Sequence, residues 1–580
     1  MRTLLGGLSL VLLATGCAGT RRFPLKAPLA RDGDLDPVYV ACREEDDKEK
    51  GKKQVCTPEP YESPFAWDGA NQIAFRPFAR LWAVDPAGES KNVNAFDEVA
   101  DSAWFVNRMG AKPYGADDVT RGYCDKELDT NAESGAWPID QGKPNGANPG
   151  FRVNVPGIGK FMLKADPAGE GERATGATAI ATRIYYALGW WAPCDSVVYF
   201  RPSVLALKPG LKVTDNSGVA KSFDDAALKK VLDVAEHRGE LVRMVASKWL
   251  PGRTLGPFTY EGKRSDDPND VVAHEDRRDL RGARVVAAWL NHFDSREQNS
   301  MDTWMSFDPK KPDSSPGHIR HWYIDLGDCF GSQWPEDQLS RRLGHSYYLD
   351  LQHVGEDFVT AGSVERPWER AKKEGTFGYF HARDFDPDAW RGGYPNPAFV
   401  RMVERDAAWA ARKIARFRDE HVAAAVRVGK YSNPDDTEFL TKTLIARRDI
   451  ILKRYFSKLS PLGELAMSPA GELCGTDLAR YANVFDEASF RYRARVFSGP
   501  GFSPAGDAAV RADRDGAICV SVPHRAPDGG SPDSDASRYV IVDVANGQAP
   551  GVLRAHLYDL GPKKGFALVG VERPSGASAP

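Results

Sequence analysis

The residue types that phosphoryl transfer needs occur together near the middle of the chain, in the run His292-Phe-Asp-Ser-Arg-Glu-Gln-Asn299. That reaction needs a carboxylate beside the attacking hydroxyl group, and Asp294 could accept the hydroxyl proton. It also needs oxygen ligands that hold magnesium against the phosphates, and Asn299 could supply one. His292 and Arg296 complete the candidate catalytic set, with His292 as a brace for the loop. A simpler interpretation stays open, in which Asp294 and Asn299 only bind the backbone of their own loop.

A second acidic motif follows the first across a predicted hairpin. Residues 303–307 have the composition of a strand, a polar turn follows, and the apolar residues 319–324 predict the returning strand. That strand ends at Asp325-Leu-Gly-Asp328. Asp325 is therefore the second candidate metal ligand, and Asp328 is an additional one.

The order H-x-D-x-x-x-x-N, then a hairpin, then D-x-G resembles the catalytic core of the protein-kinase-like superfamily. Phe293 stands where the family carries Arg, and Arg296 lies where many protein kinases carry a phosphate-contacting Lys. The resemblance implies an α+β fold with a two-lobed kinase-like domain and a helical C-lobe. It also implies Mg²⁺ or Mn²⁺, with ATP as the phosphoryl donor. It covers roughly residues 150–460 and extends equally to HipA kinases, CotH kinases, secretory-pathway kinases and aminoglycoside phosphotransferases. The substrate would be a hydroxyl group of a protein or of a small molecule.

The elements upstream fit the small lobe of such a domain. Residues 151–155 alternate like a strand, a Pro-Gly-Ile-Gly turn follows, and residues 160–166 predict the partner strand. A helix is predicted over residues 173–188, ending at Gly189. By the resemblance, Lys164 would bind the phosphates of the nucleotide; the alternative is a surface lysine on an edge strand. Ser247 and Trp249, in a strand predicted over residues 244–251, would lie where the backbone meets the adenine.

The glutamate that orients this lysine in the family is missing from the interior of the predicted helix, which carries threonines instead. Glu172, at the N-terminal end of the helix, is the candidate for the role, although a carboxylate there also suits the helix dipole. If Glu172 does not reach Lys164, the protein is inactive or uses different chemistry. A dinucleotide-binding fold is a competing interpretation, because Gly169-x-Gly-x-x-Ala174 opens the helix and Asp195 follows. No run of βα units follows, which argues against that fold.

The first 17 residues have the pattern of a targeting segment. Arg2 gives a positive start, residues 4–13 are apolar, and Ala-Thr-Gly precedes Cys17. Small residues before a Cys resemble a bacterial lipoprotein cleavage site, which implies a lipid on Cys17 and attachment to a membrane. The protein would then lie in the bacterial cell envelope, facing the periplasm or at the cell surface. An ordinary secretory signal is the alternative.

Composition sets the remaining limits. The chain has 580 residues, 27% of them charged, and a net charge of −3, which argues against nucleic-acid binding. Its length predicts several domains: a polar tether over residues 18–75, a kinase-like N-lobe with insertions over 76–250, a C-lobe over 251–465 and a small all-β domain over 466–580. Residues 111–149 show little periodicity and predict an insertion or long loop.

Eight cysteines include Cys17, and an oxidising compartment permits disulfides among the rest. Cys42 with Cys56 is the first predicted pair, and Cys474 with Cys519 is the second. The odd number that remains beside Cys17 leaves at least one free thiol. ATP is scarce outside the cytoplasm, so a catalytically inactive, kinase-shaped binding or scaffold protein stays open as the alternative function.

Overall fold

The computed structural model describes residues 22–25, 32–47, 51–62, 65–80, 82, 88–143, 148–214, 219–499, 501–529 and 536–574. The predicted signal segment and Cys17 lie outside the described residues. Over the described ranges the chain is a mixed α/β protein that ends in a nearly closed, barrel-like sheet. None of the helices in these ranges combines the length and the apolar character needed to cross a membrane.

The N-terminal residues pack against the rest of the protein, which corrects the predicted tether. Asp34 is buried with a carboxylate oxygen 3.3 Å from the Arg277 guanidinium, and Val55 is fully buried. Some of its charges pair with the protein body, such as Lys53 with Asp313 and Glu45 with Arg253. The segment and the residues after it contain strands β1 (Arg43–Asp47) and β2 (Gly51–Val55) and helices α1 (Phe65–Ala70), α2 (Arg76–Arg80) and α3 (Ala116–Arg121).

A seven-stranded, mainly antiparallel sheet follows. The strands of this region are β3 (Trp137–Gly142), β4 (Gly150–Val155), β5 (Gly159–Lys164), β6 (Asp195–Phe200), β7 (Leu205–Leu207), β8 (Lys212–Thr214), β9 (Ala220–Ser222), β10 (His237–Arg238) and β11 (Leu241–Lys248). The sheet order is β10-β11-β5-β4-β3-β7, with β6 also paired to β11, while β8 and β9 form a separate hairpin. The helices are α4 (Arg173–Leu188) and α5 (Asp225–Val234).

The predicted β4–β5 hairpin and the predicted helix α4, which ends at Gly189, are confirmed. The long loop predicted over residues 111–149 is wrong in part, because it contains α3 and β3. Trp137 and Ile139 are fully buried on one face of β3. Two such residues are too short a pattern to reveal a strand by sequence alone.

A three-stranded sheet and one helix carry the central motifs. The elements are β12 (Arg253–Gly256), α6 (Arg278–Leu290), β13 (Ser300–Ser306) and β14 (Gly317–Tyr323). β13 and β14 are antiparallel, with Ser300 opposite Tyr323. The predicted hairpin is therefore confirmed.

Helices dominate the next part of the chain. They are α7 (Asp337–Arg342), α8 (Leu351–Thr360), α9 (Pro397–Val400), α10 (Glu404–Ala415), α11 (Asp419–Arg427) and α12 (Pro434–Phe456). Apolar residues on the inward faces of these helices are fully buried: Trp409, Ile414, Val422, Leu440 and Leu444. Their spacing by three, four or multiples of these is typical of a helix that packs one face against a core.

The C-terminal region is an eight-stranded antiparallel sheet whose edge strands approach each other. Its elements are β15 (Leu462–Met467), β16 (Leu473–Asp477), α13 (Leu478–Tyr481), β17 (Arg493–Ser498), β18 (Ser503–Ala512), β19 (Ala517–Ser521), β20 (Tyr539–Ala545), β21 (Leu553–Asp559) and β22 (Phe566–Glu572). Five of the strands match the predicted all-β region. The others were missed because β18 is largely exposed and β15 is interrupted by a bulge.

Both predicted disulfides are confirmed, Cys42–Cys56 and Cys474–Cys519. A third bond, Cys124–Cys194, joins residues 70 positions apart. It was not predicted, since only the fold brings α3 next to the start of β6. Cys329 is a free, buried thiol, which agrees with the odd cysteine count.

Candidate active site

The end of α6 sets the position of the central motif. Asn291 terminates the helix in the left-handed conformation, with φ of 52°, and the His292 N–H donates to the Ala287 carbonyl at 2.8 Å. His292 is buried, and its Nδ1 lies 3.0 Å from the Tyr185 hydroxyl. Burial lowers the pKa of His292 to about 4. A neutral, enclosed imidazole of this kind holds the loop in place and is poorly suited to proton exchange with a substrate.

Asp294 and Asn299 contact each other at the other side of the loop. The Asn299 Nδ2 donates to both the backbone oxygen and the Oδ2 of Asp294, each at 2.8 Å. Arg296 Nε lies 3.0 Å from Asp294 Oδ1, and its guanidinium stands 5.3 Å from the centre of the Tyr394 ring. The Asp294 carboxylate is therefore held on both oxygens.

The β13–β14 hairpin returns the chain to Asn299. The Ile324 N–H donates to the Asn299 carbonyl at 3.1 Å, and the next residue, Asp325, adopts φ of 55°. This left-handed turn directs the Asp325 carboxylate to Lys164, whose Nζ lies 2.8 Å from Oδ1. The two sequence motifs and the lysine of β5 thus meet at one place.

Charge stabilises the contact between the lysine and the aspartate. Burial disfavours the charged amine, but the adjacent Asp325 carboxylate outweighs it and raises the pKa of Lys164. The Lys164 ammonium in turn holds the pKa of Asp325 below its ordinary value. Both groups are therefore charged near neutral pH.

Asp328 lies against the loop that carries Asp294. Its Oδ2 accepts the Asp294 N–H at 2.9 Å, whereas its buried Oδ1 has no hydrogen-bond partner and lies 3.7 Å from the His292 Nε2. Burial and the negative charges nearby raise the pKa of both Asp294 and Asp328 to about 7. The two carboxylates consequently share their titration across neutral pH.

The donor atoms here are those that a hard divalent cation prefers. Asp325, Asn299 and Asp328 can each offer an oxygen ligand. The buried Oδ1 of Asp328 has no hydrogen-bond partner among the described residues, so its lone pairs are available to a cation. Mg²⁺ keeps several waters and usually takes one or two carboxylates together with phosphate oxygens. The side chains of Asp325, Asn299 and Asp328 match this preference in the kind of ligand atom that they offer.

No preassembled cage of acidic or thiol ligands occurs at this position. Across the described part of the chain, three ligand atoms of His, Cys, Asp or Glu lie within 4.8 Å of one another in two places. Each place contains both sulfurs of a disulfide, Cys124–Cys194 or Cys474–Cys519. Sulfurs bonded to each other are not available as thiolate ligands.

Glu172 does not contact Lys164, which corrects the predicted pairing. Its carboxylate accepts hydrogen bonds from the Tyr199 hydroxyl at 3.0 Å and from the backbone and side chain of Ser432. It also lies 3.6 Å from the buried Arg243 guanidinium. Glu172 therefore ties α4 to the helical region.

Two backbone donors of the predicted adenine-binding strand are already bonded to neighbouring segments. The Trp249 N–H donates to the Lys160 carbonyl at 2.9 Å, and the Lys248 N–H donates to the Cys194 carbonyl at 2.9 Å. These donors are therefore not free to meet an adenine. Ser247 faces the carboxylate of Asp195 and hydrogen-bonds to it.

Sequence reasoning missed Arg173, which connects α4 to the second motif. Its Nη1 donates to the carbonyls of Gly327 at 3.0 Å and Gly331 at 2.7 Å, and it pairs with the buried Glu170. Gly327 lets the two elements meet, since a Cβ there would stand 2.9 Å from the Thr178 hydroxyl. An Arg at the start of a helix is common in surface helices. The sequence therefore did not indicate that Arg173 belongs to the site.

No family model, no curated protein and no solved structure matches this chain. The site therefore has to be interpreted from its own geometry.

Proposed function

We propose that this chain is a kinase-like phosphotransferase that moves the terminal phosphoryl group of a nucleotide to a hydroxyl group of a protein or small molecule. One continuous set of contacts supports the proposal. Lys164 meets Asp325 at 2.8 Å, Asn299 meets Asp294 at 2.8 Å, and the Ile324–Asn299 backbone hydrogen bond joins the two pairs. Under this proposal Lys164 is the phosphate-binding ammonium group, Asp325 and Asn299 are the metal ligands and Asp294 is the base, which are the groups that the reaction requires.

Asp294 is the proposed base. Its carboxylate accepts the proton of the substrate hydroxyl while that oxygen bonds to the terminal phosphorus and the bond to the bridging oxygen breaks. The nucleoside diphosphate leaves with the bridging oxygen. A pKa near 7 makes Asp294 a stronger base than an ordinary carboxylate, and Arg296, 3.0 Å away, keeps part of it ionised.

The remaining residues hold charge. Lys164 binds the phosphate oxygens once it shares its contact with Asp325. Asp325, Asn299 and Asp328 would hold Mg²⁺ or Mn²⁺, which when bound neutralises negative charge on the transferred group. Arg173 keeps the segment that carries Asp325 and Asp328 against α4.

We further propose that the protein acts in the bacterial cell envelope, attached to a membrane through a lipid on Cys17. Its three disulfides fit an oxidising compartment. The second candidate function is a kinase-shaped binding protein without catalysis. The observation in its favour is that, among the residues that the structure describes, Lys164 pairs with Asp325 and with no glutamate.

A thermal-shift titration of the chain lacking residues 1–17 tests nucleotide binding. ATP with Mg²⁺ or Mn²⁺ should raise the Tm of the wild type, because a ligand at 100 times its Kd adds about 2.7 kcal/mol of stability. Asp325→Asn should lose this rise. Asp507→Asn, an exposed carboxylate on β18, should keep it. No rise at millimolar nucleotide would contradict the nucleotide site.

Turnover separates the two candidate functions. Asp294→Asn should still bind ATP, and its slow release of ADP in the absence of another acceptor should fall about 100-fold below that of the wild type. Equal ADP release by the two proteins, at the level of a buffer blank, would favour the binding protein.

A further inference from the structure

A second lysine lies in the same row of the sheet as Lys164. The Lys143 N–H donates to the Gly150 carbonyl at 3.0 Å, directly beyond the Gly142–Phe151 pair of β3 and β4. Gly150 in turn pairs with Lys164 on β5. Residues opposite each other on neighbouring strands point to the same face of a sheet. The side chains of Lys143 and Lys164 therefore rise on one face, from backbones about 9.6 Å apart.

The residue between the two lysines carries no side chain, and it cannot acquire one easily. A Cβ at Gly150 would stand 2.2 Å from the Leu163 carbonyl oxygen. Backbone atoms therefore form the bottom of the space between the two lysine side chains. The opposite face is closed, because a Cβ at the neighbouring Gly142 would meet the Phe223 ring at 2.4 Å.

Local hydrogen bonds hold Lys143 near this space. Its Nζ donates to the Asn148 carbonyl at 2.6 Å, and the Asn148 side chain donates to the Ala165 carbonyl, next to Lys164, at 3.0 Å. This bond uses one of the three ammonium protons. Over the described ranges no carboxylate lies within ion-pair distance of Lys143, whereas Lys164 has Asp325. Burial and the like charge of Lys164 lower the pKa of Lys143 to about 8.

We infer that Lys143 and Lys164 form a two-lysine cradle that binds the linked phosphates of a nucleoside triphosphate across Gly150. Two ammonium groups on one face of a sheet repel each other, and an anion that lies between them relieves this repulsion. A chain of linked phosphates has the charge and the length to contact both. This inference rests on the proposed function. It identifies the linked phosphates as the part of the nucleotide that the sheet binds.

Calorimetric titration of the full chain with Mg·ATP, tripolyphosphate and adenosine tests the cradle. Wild type should bind the first two and not adenosine alone. Lys143→Gln should weaken both by about 10-fold, as expected for the loss of a charge-assisted hydrogen bond. Lys143→Arg, which keeps the charge, should stay within about threefold of wild type.

Lys160→Gln is the matched control, since Lys160 lies exposed on the same strand four residues before Lys164. It should bind like wild type. Folding is checked by the Tm of each ligand-free variant. Wild-type affinity in a folded Lys143→Gln variant would overturn the cradle and leave the proposed function in place. Failure of wild type to bind either polyphosphate would overturn both.

Discussion

Lys164 is flanked by two aspartates. Asp325 binds its amine at 2.8 Å, and Asp195 at the start of β6 lies on the same sheet face, almost fully buried, with an Oδ1 that has no hydrogen-bond partner. Burial raises the pKa of Asp195 to about 6, while the Ser247 hydrogen bond and the charge of Lys164 oppose the rise. Glu172 binds Ser432 instead, so Asp195 is the second acid beside Lys164 after Asp325.

Neutralising this second acid should therefore weaken nucleotide binding without abolishing it. We expect Asp195→Asn to lower the affinity for Mg·ATP about fivefold, or about 1 kcal/mol, because Lys164 loses a buried carboxylate beside it. Calorimetry measures the effect. Asp233→Asn, an exposed carboxylate on α5, is the control. An unchanged affinity in Asp195→Asn would show that Asp325 alone orients the lysine.

The pair of Asp294 and Asp328 makes stability depend on pH. Both have a pKa of about 7 in the folded chain, against 3.8 for an ordinary aspartate. Between pH 3.8 and about 7, the folded chain keeps protons on Asp294 and Asp328 that the unfolded chain has released. Stability from this pair is therefore present below the ordinary pKa and is lost as the pH rises through about 7.

We expect the metal-free wild type to lose about 2 kcal/mol of unfolding free energy relative to Asp328→Asn between pH 5 and pH 8. The variant has one acid fewer, and the pKa of its Asp294 falls because a like charge is gone. Urea denaturation at several pH values measures the difference. Parallel pH curves for the two proteins would contradict shared titration.

At the scale of elements, the segment from α1 to α2 turns its polar side inwards. Asp68, Gln72 and Arg76 recur every fourth residue, and Asp68 and Gln72 are buried. Arg76 Nη2 lies 2.8 Å from Glu297, and Asp68 lies 3.5 Å from Arg296. Four aromatic residues in or just after this segment are exposed: Trp67, Phe75, Phe78 and Trp82. Ion pairs with Arg296 and Glu297 therefore help to hold this segment in place.

Breaking the nearly buried Arg76–Glu297 pair should release the segment. We expect Arg76→Gln to raise the rate of chymotrypsin cleavage after the aromatic residues of this segment by about 10-fold. The reason is that local unfolding of the segment then costs less free energy. Arg121→Gln, which removes an exposed pair on α3, should cleave like wild type. Mass spectrometry of the fragments locates the cuts. Equal cleavage rates would mean that other contacts hold α1 and α2.

At the scale of the molecule, a buried ion cluster joins the C-terminal sheet to the helices. Asp97 pairs with Arg573, at the end of β22, and with Arg278 of α6 at 2.6 Å. Arg412 of α10 lies 3.5 Å from the same carboxylate, and the Arg573 Nε donates to the Ser460 carbonyl at 3.2 Å. The polar run around Asp97 is thus a structural junction.

Removing one member of this cluster should uncouple the two regions. We expect Arg573→Met to cost about 3 kcal/mol, because a buried carboxylate loses one of its partners. Differential scanning calorimetry should then resolve separate transitions for the C-terminal sheet and the rest. Arg511→Met, an exposed arginine on β18, should leave the wild-type profile. A single unshifted transition in Arg573→Met would mean that the cluster adds nothing to coupling.

The sequence by itself determined the features that depend on near neighbours. The β4–β5 hairpin, α4 with its terminal glycine, the β13–β14 hairpin and the disulfide across 14 residues all follow from local alternation, periodicity and short loops. The spacing of Asp294 and Asn299, followed by a hairpin, was also enough to bring Asp325 to the same place. Each of these features follows from interactions between residues that are close together in the sequence.

Only the tertiary structure decided which partner each charge took. Glu172 and Asp195 both follow Lys164 closely along the chain. Glu172 nevertheless binds Ser432, 260 residues away, whereas Asp195 faces the lysine across β11. The same holds for the packed N-terminal segment and for Cys124–Cys194. A charged residue has the same appearance in a sequence whether it is solvated or paired, because its burial is set by elements far along the chain.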